Sequence, residues 1–559
     1  MTATPVLPEA PESSTRWFRG LLFLPLLPLV GFMLFGSTGE DDAYITYWEA
    51  ARLEATRRLE NFNGRTLEQS SSLLHVVLLA GVSWLTRASV PTVGGWFSVV
   101  AGAACAPIAY RFGRRLEPRS GWIAAAVVAT SPPLVYWAFG GLETSLAALV
   151  VLLAALSVVQ YVSGESSVAV ATLWIVAAAL VRPEIGLVLV GGFVLAALVL
   201  WVFPDPRNDV DRRFALRRCL AAAAVAVISV VAIAVFRHFY FGEFFPHPVS
   251  MKTGTLDSTG ARYVWNTVWR SGSLGVVAVT AVALLTGRRL RNPAWLIPSS
   301  LALVGATVVV ADGGDWMENG RLMVPWLVLS AVVAAAWIAT LRFKTIGACV
   351  LIAFNVAGLA GYATITSTGT AGWAHVVLPA PLHQAASANL WERRNRVHAG
   401  DSAFLRTVTP VVRAAITTVE PRQLTVASEQ AGMVTYYLQQ TALAAGHPFR
   451  FIDQLGLADD TWNVCRNGIA ATSLGKFVPM SRVLSGKCGP LPDIYFDIFQ
   501  PPPGLTARYA VVYLQKGNIA PSRPPHGATL PALEYIAIRR DLLSGPRSGA
   551  LTRAIAAMR

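Results

Sequence analysis

The first two thirds of the chain alternate between long apolar segments and short polar loops. Most of the apolar segments are close to the ~20 residues that a membrane-spanning helix needs, and some are shorter. They cover residues 18–36, 71–87, 93–110, 121–139, 145–161, 167–181, 185–203, 219–237, 273–287, 294–311, 322–340 and 345–363. The pattern predicts a polytopic α-helical membrane region over residues 1–363.

Residues 364–559 differ in character, because Pro, Asp and Asn become more frequent and no further spanning segment occurs. Residues 432–445 have a helical pattern. Strand-like stretches cover residues 422–428, 449–453, 493–498, 507–514 and 534–539. We predict one compact α+β domain over residues 364–559. Cys465 and Cys488 are the only two cysteines in it, and we predict that they form a disulfide on the oxidising side of the membrane.

The composition agrees with a membrane protein and changes how the charge is interpreted. Of the 559 residues, 54% are hydrophobic and only 14% are charged, and the mean hydropathy is +0.49. A soluble protein of this size carries nearer a quarter charged residues. The net charge of +14 comes mostly from arginines in short loops between apolar segments. That distribution is typical of topology determinants and not of a nucleic-acid-binding face, so we expect no nucleic-acid partner.

The basic loops assign the two sides of the membrane. Four clusters and two early arginines are expected in the cytoplasm, namely Arg111–Arg119, Arg207–Arg218, Arg288–Arg291, Arg342 with Lys344, and Arg16 with Arg19. With residues 37–70 outside, segments 71–87 and 93–110 must then make one net crossing together. About 11 net crossings follow, with residues 364–559 outside a cytoplasmic (inner) membrane. The alternative, with Arg111–Arg119 outside, breaks the charge rule at its clearest cluster.

The outer loop 37–70 is too long for a simple connector and begins with two adjacent acids, Asp41 and Asp42. Ionised side chains at a membrane boundary are costly and usually functional. Residues 42–59 have helical character, with arginines interleaved among aromatic side chains. Two interpretations remain open for this stretch, an amphipathic helix at the membrane interface and a solvated loop helix.

Five polar clusters fall on the same outer side in this topology. They are Asp41-Asp42, residues 140–144, residues 182–184, residues 237–252, and residues 311–321. Each cluster alone has a plain explanation: Glu143 as an acid at a helix start, Arg182 as an interfacial cation, Gly313-Gly314 as a tight turn. Their convergence on one face suits a lipid-linked phosphate substrate, with a base for a hydroxyl, cations for a phosphate and rings for a sugar.

The ordered motifs resemble those of the GT-C superfamily of polyprenyl-phosphate-sugar glycosyltransferases, and within it most closely the AftB-like arabinofuranosyltransferases. The matching stretches are Asp41-Asp42, residues 63–71, Gly141-Leu142-Glu143, Arg182-Pro183-Glu184, Tyr240 to Lys252, Gly313 to Arg321 with Pro325, and residues 451–457. Phe241 stands where a second Tyr is common, and His247 where a small polar residue is common. The outer domain is also shorter, so the donor and the acceptor stay open.

The resemblance implies transfer of a pentose, arabinofuranose, from decaprenyl-phosphoryl-arabinofuranose to a hydroxyl of an envelope arabinan (arabinogalactan) during cell-wall biogenesis. Asp41 or Asp42 would be the general base. The donor phosphate would be bound by Lys252, Arg321, Arg182 and His247, and the sugar or acceptor by Tyr44, Glu143, Glu184, Tyr240, Asp315 and Trp316. No cofactor is required by the sequence. The alternatives for the second acid are that it holds a divalent cation or positions the sugar.

Two other functions remain open. One is a GT-C transferase that uses another lipid-linked sugar to modify lipid A, O-antigen or a protein. The other is a transporter or flippase of lipid-linked sugars, which the charges disfavour because they gather at one surface and not near the midplane. In the outer domain, Asp453 is interpreted as a structural or glycan-contacting acid. The domain itself either holds the acceptor glycan or only packs against the membrane region.

Overall fold

The computed structural model describes residues 18–35, 39–203, 209–252, 258–286, 292–315, 317, 320–363, 390–428, 431–469, 477–497, 504–513 and 535–558. The α-helices up to Ala444 are α1 Leu26–Phe35, α2 Ala43–Thr56, α3 Leu73–Thr86, α4 Val90–Leu116, α5 Gly121–Ala129, α6 Pro132–Ala138, α7 Thr144–Val162, α8 Val168–Val181, α9 Pro183–Val202, α10 Asp209–Phe241, α11 His247–Met251, α12 Ser258–Arg270, α13 Leu274–Leu285, α14 Pro293–Ala311, α15 Val324–Ile338, α16 Lys344–Ala363, α17 Leu390–Val419 and α18 Met433–Ala444. Five short helices follow in the C-terminal region, α19 Asn463–Arg466, α20 Met480–Leu484, α21 Leu505–Arg508, α22 Asp541–Ser544 and α23 Gly549–Ala556.

The apolar segments form the helices that their composition predicts. In the described part of the chain, six helical stretches are long and apolar enough to cross a membrane, or eight if each of two bent helix pairs is one span. Of the two segments that had to share one crossing, α4 has 27 residues, whereas α3 has only 14. Only α4 reaches the length of a span. The central helix is α15, where every residue except Trp337 is buried.

One expected span, residues 121–139, is broken. Helices α5 and α6 meet at an angle of 55°. The break coincides with Pro132 and Pro133 at the start of α6, where proline lacks the N–H that would continue the first helix. The side-chain amide of Asn355 donates to the carbonyl of Val127 at 2.8 Å and to the hydroxyl of Thr130 at 3.2 Å. Asn355, in α16, therefore supplies hydrogen bonds to polar groups at the break.

Helix α2 confirms that most of the stretch 42–59 is helical, from Ala43 to Thr56, and its burial excludes one of the two interpretations. Its first half is buried, including Tyr44, Tyr47 and Trp48, so it is not a solvated loop helix. The ring of Tyr44 lies 5.4 Å from the ring of Tyr436 in α18, and that of Trp48 lies 6.1 Å from it. Helix α2 therefore packs between the helical bundle and the C-terminal region, and its aromatic side chains form that contact.

All five strand-like stretches of the C-terminal region form strands: β1 Thr425–Ser428, β2 Arg450–Asp453, β3 Ile494–Asp497, β4 Tyr509–Tyr513 and β5 Tyr535–Arg539. They make one sheet in the order β2-β1-β3-β5-β4, with parallel pairing from β2 to β3 and antiparallel pairing of β5 with β3 and β4. The disulfide between Cys465 and Cys488 is present, as predicted.

The outer loop is tied to this sheet by hydrogen bonds. Asn63 accepts from the N–H of Phe451 at 2.7 Å and donates to its carbonyl, also at 2.7 Å. The amide of Asn61 donates to the carbonyl of Ala458 at 3.1 Å. Asp453 accepts three backbone N–H groups, those of Leu455, Leu457 and Ala458, and so fixes the loop on which Asn61 docks. These contacts favour the structural interpretation of Asp453.

Candidate functional site

The acid pair lies between α1 and α2, where the backbone is anchored to a second loop. The N–H of Glu40 donates to the carbonyl of Gly140 at 2.9 Å, and the Tyr136 hydroxyl donates to Oε1 of Glu40, also at 2.9 Å. Asp42 occupies the N-cap position of α2, yet its side chain makes no capping hydrogen bond. Its carboxylate is therefore not used by the helix that follows it.

Asp41 faces the C-terminal region. Its Oδ1 accepts a hydrogen bond from the backbone N–H of Met433, at the start of α18. The approach requires a glycine at the preceding position, because a Cβ added to Gly432 would lie 2.2 Å from the carboxyl carbon of Asp41. Burial, together with the charge of Asp42, raises the pKa of Asp41 to about 7, against the effect of the Met433 hydrogen bond.

Asp42 faces a different set of groups. Burial raises its pKa to about 6, and the positive charges of Arg321 and Lys252 oppose this rise. The pKa of Asp41, by contrast, is set mainly by burial, by the charges of Asp42 and Glu40, and by the Met433 hydrogen bond, and not by a cation. The two adjacent carboxyl groups thus have different neighbours: Asp41 contacts the start of α18, and Asp42 interacts with Arg321 and Lys252.

Arg182 lies between two carboxylates at the junction of α8 and α9. Its Nη1 donates to Oε1 of Glu143 at 2.5 Å, and its Nε donates to Glu184. Burial alone would lower the pKa of the guanidinium, but the two glutamates outweigh it and raise that pKa. For Glu143 the burial effect is likewise reversed, because Arg182 and Arg321 lower its pKa overall. The predicted site residues Glu143, Arg182 and Glu184 therefore form one largely buried ionic cluster.

A second ion pair joins Arg321 to Asp315 in the loop between α14 and α15. The loop turns sharply at Gly313 and Gly314, whose φ angles are 79° and 76°, in the left-handed region that favours glycine. A Cβ on Gly314 would lie 2.6 Å from the side chain of Tyr263. Burial would raise the pKa of Asp315, but Arg321, Lys252 and Arg182 together lower it.

Lys252 is the third cation and follows the short helix α11. Its ammonium interacts electrostatically with Asp315 and Asp42, which attract it, and with Arg321 and Arg182, which repel it. Burial, with that repulsion, lowers its pKa. Within the part of the chain that the structure describes, no carboxylate lies within 4.0 Å of it, so it makes no ion pair. A partly buried lysine with no carboxylate partner among the described residues, beside two paired arginines, is a position for an anion.

Aromatic side chains cover the side of the acid pair that faces the C-terminal region. Tyr44 lies 5.5 Å from Tyr437 and 5.1 Å from Tyr47, measured between ring centroids. The Tyr47 hydroxyl donates to the carbonyl of Gly141 at 3.0 Å, which links α2 to the loop before α7. Rings from both the bundle and α18 therefore stand beside Asp41.

Two residues predicted for the site, His247 and Tyr240, have other surroundings. His247 is buried, its Nδ1 lies 3.0 Å from Oε1 of Glu243, and its backbone N–H donates to the carbonyl of Glu68. Glu68 forms a bidentate pair with Arg237, at 2.8 and 3.0 Å. The Tyr240 hydroxyl accepts from the backbone N–H of Leu59 at 3.2 Å, and its ring stacks on Phe236. Trp316 lies outside the described residues.

A metal site is not formed by the side chains that the structure describes, since no group of three or more His, Cys, Asp or Glu residues among them has a suitable arrangement. The acids at the site are instead matched with cations, as Asp315 is with Arg321. Glu143 is likewise paired with Arg182, and Asp41 accepts the hydrogen bond from Met433.

With this geometry in hand, comparison with known proteins is informative about the fold. No family model matches the chain, and no curated protein matches it. The structure of ArnT from Cupriavidus metallidurans bound to undecaprenyl phosphate is similar over 96% of this chain and 100% of that one, with a TM-score of 0.53 and 14% identity. The chain shares the overall fold of ArnT.

Two further similarities accompany it. ArnT from the same organism in the apo state covers 95% of this chain at a TM-score of 0.50, with 14% identity. The oligosaccharyltransferase of Archaeoglobus fulgidus covers 85% of this chain at a TM-score of 0.43, with 12% identity. The ArnT likeness, at 14% identity, concerns the fold alone. Together with the apolar helices it confirms a multi-pass membrane protein. It does not test the AftB-like branch.

The residues that the sequence analysis missed are those that reach the site from far away in the chain. Met433 and Gly432 contact Asp41 across 392 residues, and Tyr436 and Tyr437 pack on Tyr44. The sequence does contain local features here, namely Gly432 just before α18 and the pair Tyr436-Tyr437 one turn later. Neither feature indicates its partner, because the docking of α18 on α2 is a tertiary contact.

Proposed function

We propose that the protein is a membrane glycosyltransferase that transfers a pentose, arabinofuranose, from a polyprenyl monophosphate to a hydroxyl of a cell-envelope glycan. The observation that carries the proposal is the partly buried Lys252, which has no carboxylate partner among the described residues and interacts electrostatically with Arg321, Arg182 and Asp42. This arrangement supplies positive charge for a phosphate and a carboxylate for a hydroxyl within one site. The likeness in fold to ArnT bound to undecaprenyl phosphate supports a polyprenyl phosphate donor.

The cations act on the leaving group. As the bond between the sugar C1 and the phosphate oxygen breaks, the polyprenyl phosphate gains charge. Lys252 and Arg321 stabilise that charge, and they do so more strongly in a low-dielectric site than in water. Arg321 is held by Asp315, and Arg182 by its two glutamates, so neither has to be reoriented during the reaction. Lys252, which no described carboxylate holds, binds the phosphate directly.

We assign the general base to Asp41. The acceptor oxygen forms the new bond to C1 and passes its proton to a carboxylate, and the base must therefore stand on the acceptor side of the sugar. Asp42 interacts with the cations that bind the phosphate, whereas Asp41 faces α18 and its tyrosines. A base is most effective when its pKa lies near the working pH, and the pKa of Asp41 is raised to about 7.

In this assignment, Asp42 positions the donor sugar and offsets the positive charge of Lys252. The rings of Tyr44 and Tyr437, half a nanometre apart, offer apolar faces to an acceptor sugar beside Asp41. This gives the C-terminal region a part in acceptor binding and not only in packing. Glu143 and Glu184 hold Arg182 in place, so their contribution is indirect.

We place the site and the C-terminal region on the outer side of the cytoplasmic membrane. The disulfide between Cys465 and Cys488 supports that placement, because structural disulfides persist in oxidising compartments. A variant with Cys349→Ser removes the exposed free cysteine, and Cys105 and Cys219 are buried. In that background, an impermeant thiol reagent applied to whole cells should label Ala507→Cys and not Ser163→Cys. Labelling of Ser163→Cys alone would reverse the topology.

The activity is tested with the purified full chain, radiolabelled decaprenyl-phosphoryl-arabinofuranose and a synthetic arabinan. The expected result is labelled arabinan with release of decaprenyl phosphate. Parallel reactions use polyprenyl phosphates carrying other sugars and acceptors such as lipid A, which identify the donor if arabinose is not transferred. If the labelled donor stays intact with every acceptor while the chain still binds undecaprenyl phosphate, the transferase proposal is wrong.

A further inference from the structure

A second cationic feature lies at the other end of the helical bundle. A cavity of about 250 Å³ is lined by three arginines, Arg19, Arg114 and Arg119, and by the rings of Tyr110 and Trp122. Pro118 and Gly121 complete its wall. Nothing in the transfer reaction uses these residues.

The length of α4 separates this cavity from the acid pair. Near its start, a Cβ added to Gly94 would lie 2.3 Å from the ring of Tyr47, so this end of α4 is at the acid-pair site. Tyr110 and Arg114 are in its last two turns, since α4 ends at Leu116. At 1.5 Å per residue, its 27 residues extend for about 40 Å. The cavity is therefore on the opposite face from the candidate active site.

Two of the arginines that line the cavity, Arg19 and Arg119, receive no carboxylate from its described wall. Among the residues that the structure describes, no carboxylate lines it. Neither Arg19 nor Arg119 has an ion-pair partner in the described part of the chain, whereas the neighbouring Arg115 is paired with Glu165. Guanidinium groups gathered around one cavity repel each other, and an anion between them removes that repulsion. Arginine forks match phosphate oxygens in particular.

The aromatic part of the wall is built by packing and is not a chance surface contact. The ring of Trp122 lies 5.1 Å from Phe23 and 5.5 Å from Tyr110, and the guanidinium of Arg114 lies 5.9 Å from the Tyr110 ring. Space beside them depends on Gly121, where a Cβ would lie 2.6 Å from Cγ of Arg114. Trp122 remains 43% exposed, as is common for tryptophans at the level of lipid headgroups.

We propose that this cavity binds the phosphate group of an anionic membrane lipid. Its position at the end of a membrane-spanning helix places the arginines at headgroup depth, and basic pockets between such helices bind anionic headgroups. The exposed Leu22 and the half-exposed Trp122 offer apolar contact to the acyl region next to it. Inorganic phosphate shares the chemistry but lacks the acyl chains, so it should bind more weakly.

The test is native mass spectrometry of the purified full chain in detergent, titrated with phosphatidylglycerol, with phosphatidylcholine, or with inorganic phosphate. The wild-type chain should retain phosphatidylglycerol in preference to phosphatidylcholine. In Arg19→Gln with Arg119→Gln, the dissociation constant for phosphatidylglycerol should rise about tenfold or more, as expected when charge-assisted hydrogen bonds to a phosphate are lost. Arg119→Lys, which keeps the charge but not the fork, should show a smaller loss.

Arg342→Gln is the matched control, because Arg342 is another exposed arginine in the loop between α15 and α16. Its lipid binding should equal that of the wild type. If inorganic phosphate displaces phosphatidylglycerol at equal concentration, the cavity is a phosphate site whose ligand is soluble and not a lipid. If the double variant and Arg342→Gln bind phosphatidylglycerol equally well, the proposal is overturned. Equal thermal unfolding midpoints would show that the variants fold.

Discussion

The two ends of the helical bundle both carry arginines, but the surroundings of those arginines differ. At the acid-pair end, Arg182 and Arg321 are largely buried and each is paired with a carboxylate. At the other end, Arg19 and Arg119 are exposed. Burying an unpaired charge is expensive, so a chain retains buried ions only with partners or for a purpose. Exposed arginines at a membrane surface cost little and serve orientation.

This difference explains why Lys252 matters. It lies at the end where charges are matched, yet it makes no ion pair with a described residue. A partly buried lysine in that position carries a desolvation cost that its neighbours do not offset, and its pKa is lowered. In the proposed function, the phosphate of the donor is its partner.

The largest effect that separates the two ends is expected for Asp41→Asn. Asparagine keeps an oxygen that can accept the Met433 N–H, so α18 should stay docked, but it cannot take a proton. Turnover should fall by roughly 10²–10⁴-fold in the arabinan assay, as for a lost general base. Asp541→Asn, an exposed acid in the C-terminal region, serves as the control. Near-normal transfer by Asp41→Asn would show that the acid is structural.

A smaller loss is expected for Gly432→Ala, which tests whether α18 must contact Asp41. The added methyl group would overlap the carboxyl group at 2.2 Å, so either the helix or Asp41 must move. Overpacking of this kind costs about 1–3 kcal/mol, and we expect a loss in rate of roughly tenfold. Gly95→Ala is the matched control, because nothing lies within 4 Å of its added Cβ. Equal rates for both variants would separate α18 from catalysis.

The pH dependence sharpens the assignment of the two acids. The base acts in its deprotonated form, and the pKa of Asp41 is raised to about 7, so kcat/KM should rise with pH up to about that value. Because the charge of Asp42 contributes to that rise, Asp42→Asn should move the acidic limb of the profile to lower pH. The two carboxyls titrate as a pair, so the profile reports the pair. A limb that stays in place would argue against coupling between them.

The smallest effect on transfer activity is expected at the end of the bundle that is opposite the acid pair. Arg342→Gln removes an exposed cation that contacts only the ring of Phe343 among the described interactions. Transfer activity should stay within about twofold of the wild type, since exposed charges contribute little. A large loss of activity, with the chain still correctly inserted, would show that the two ends are coupled through the bundle.

Much of the fold could be predicted from hydropathy and strand patterns. The helices follow the apolar segments, and all five strands lie within the stretches predicted for them. The convergence of Glu143, Arg182, Asp315 and Arg321 at one end also follows from counting crossings, because each stands at the end of an apolar segment.

The tertiary contacts could not be predicted in this way. Periodicity reports which face of a helix is apolar, but it does not report what covers that face, as with Tyr44 and Tyr436. The bend between α5 and α6 had a local signal in Pro132 and Pro133, whereas the glycine before α18 did not indicate that Met433 contacts Asp41. Tyr240 was predicted from its motif, and its contact with Leu59 depends on how the outer loop folds.

The most direct test of the account is the affinity of Lys252→Met for undecaprenyl phosphate. Methionine fills similar space without the charge, and a phosphate is charged already in the ground state, so donor binding and not only rate should suffer. The dissociation constant should rise about tenfold or more, while Lys487→Met, in the C-terminal region, should bind as the wild type does. Unchanged affinity of Lys252→Met would contradict the proposed donor site.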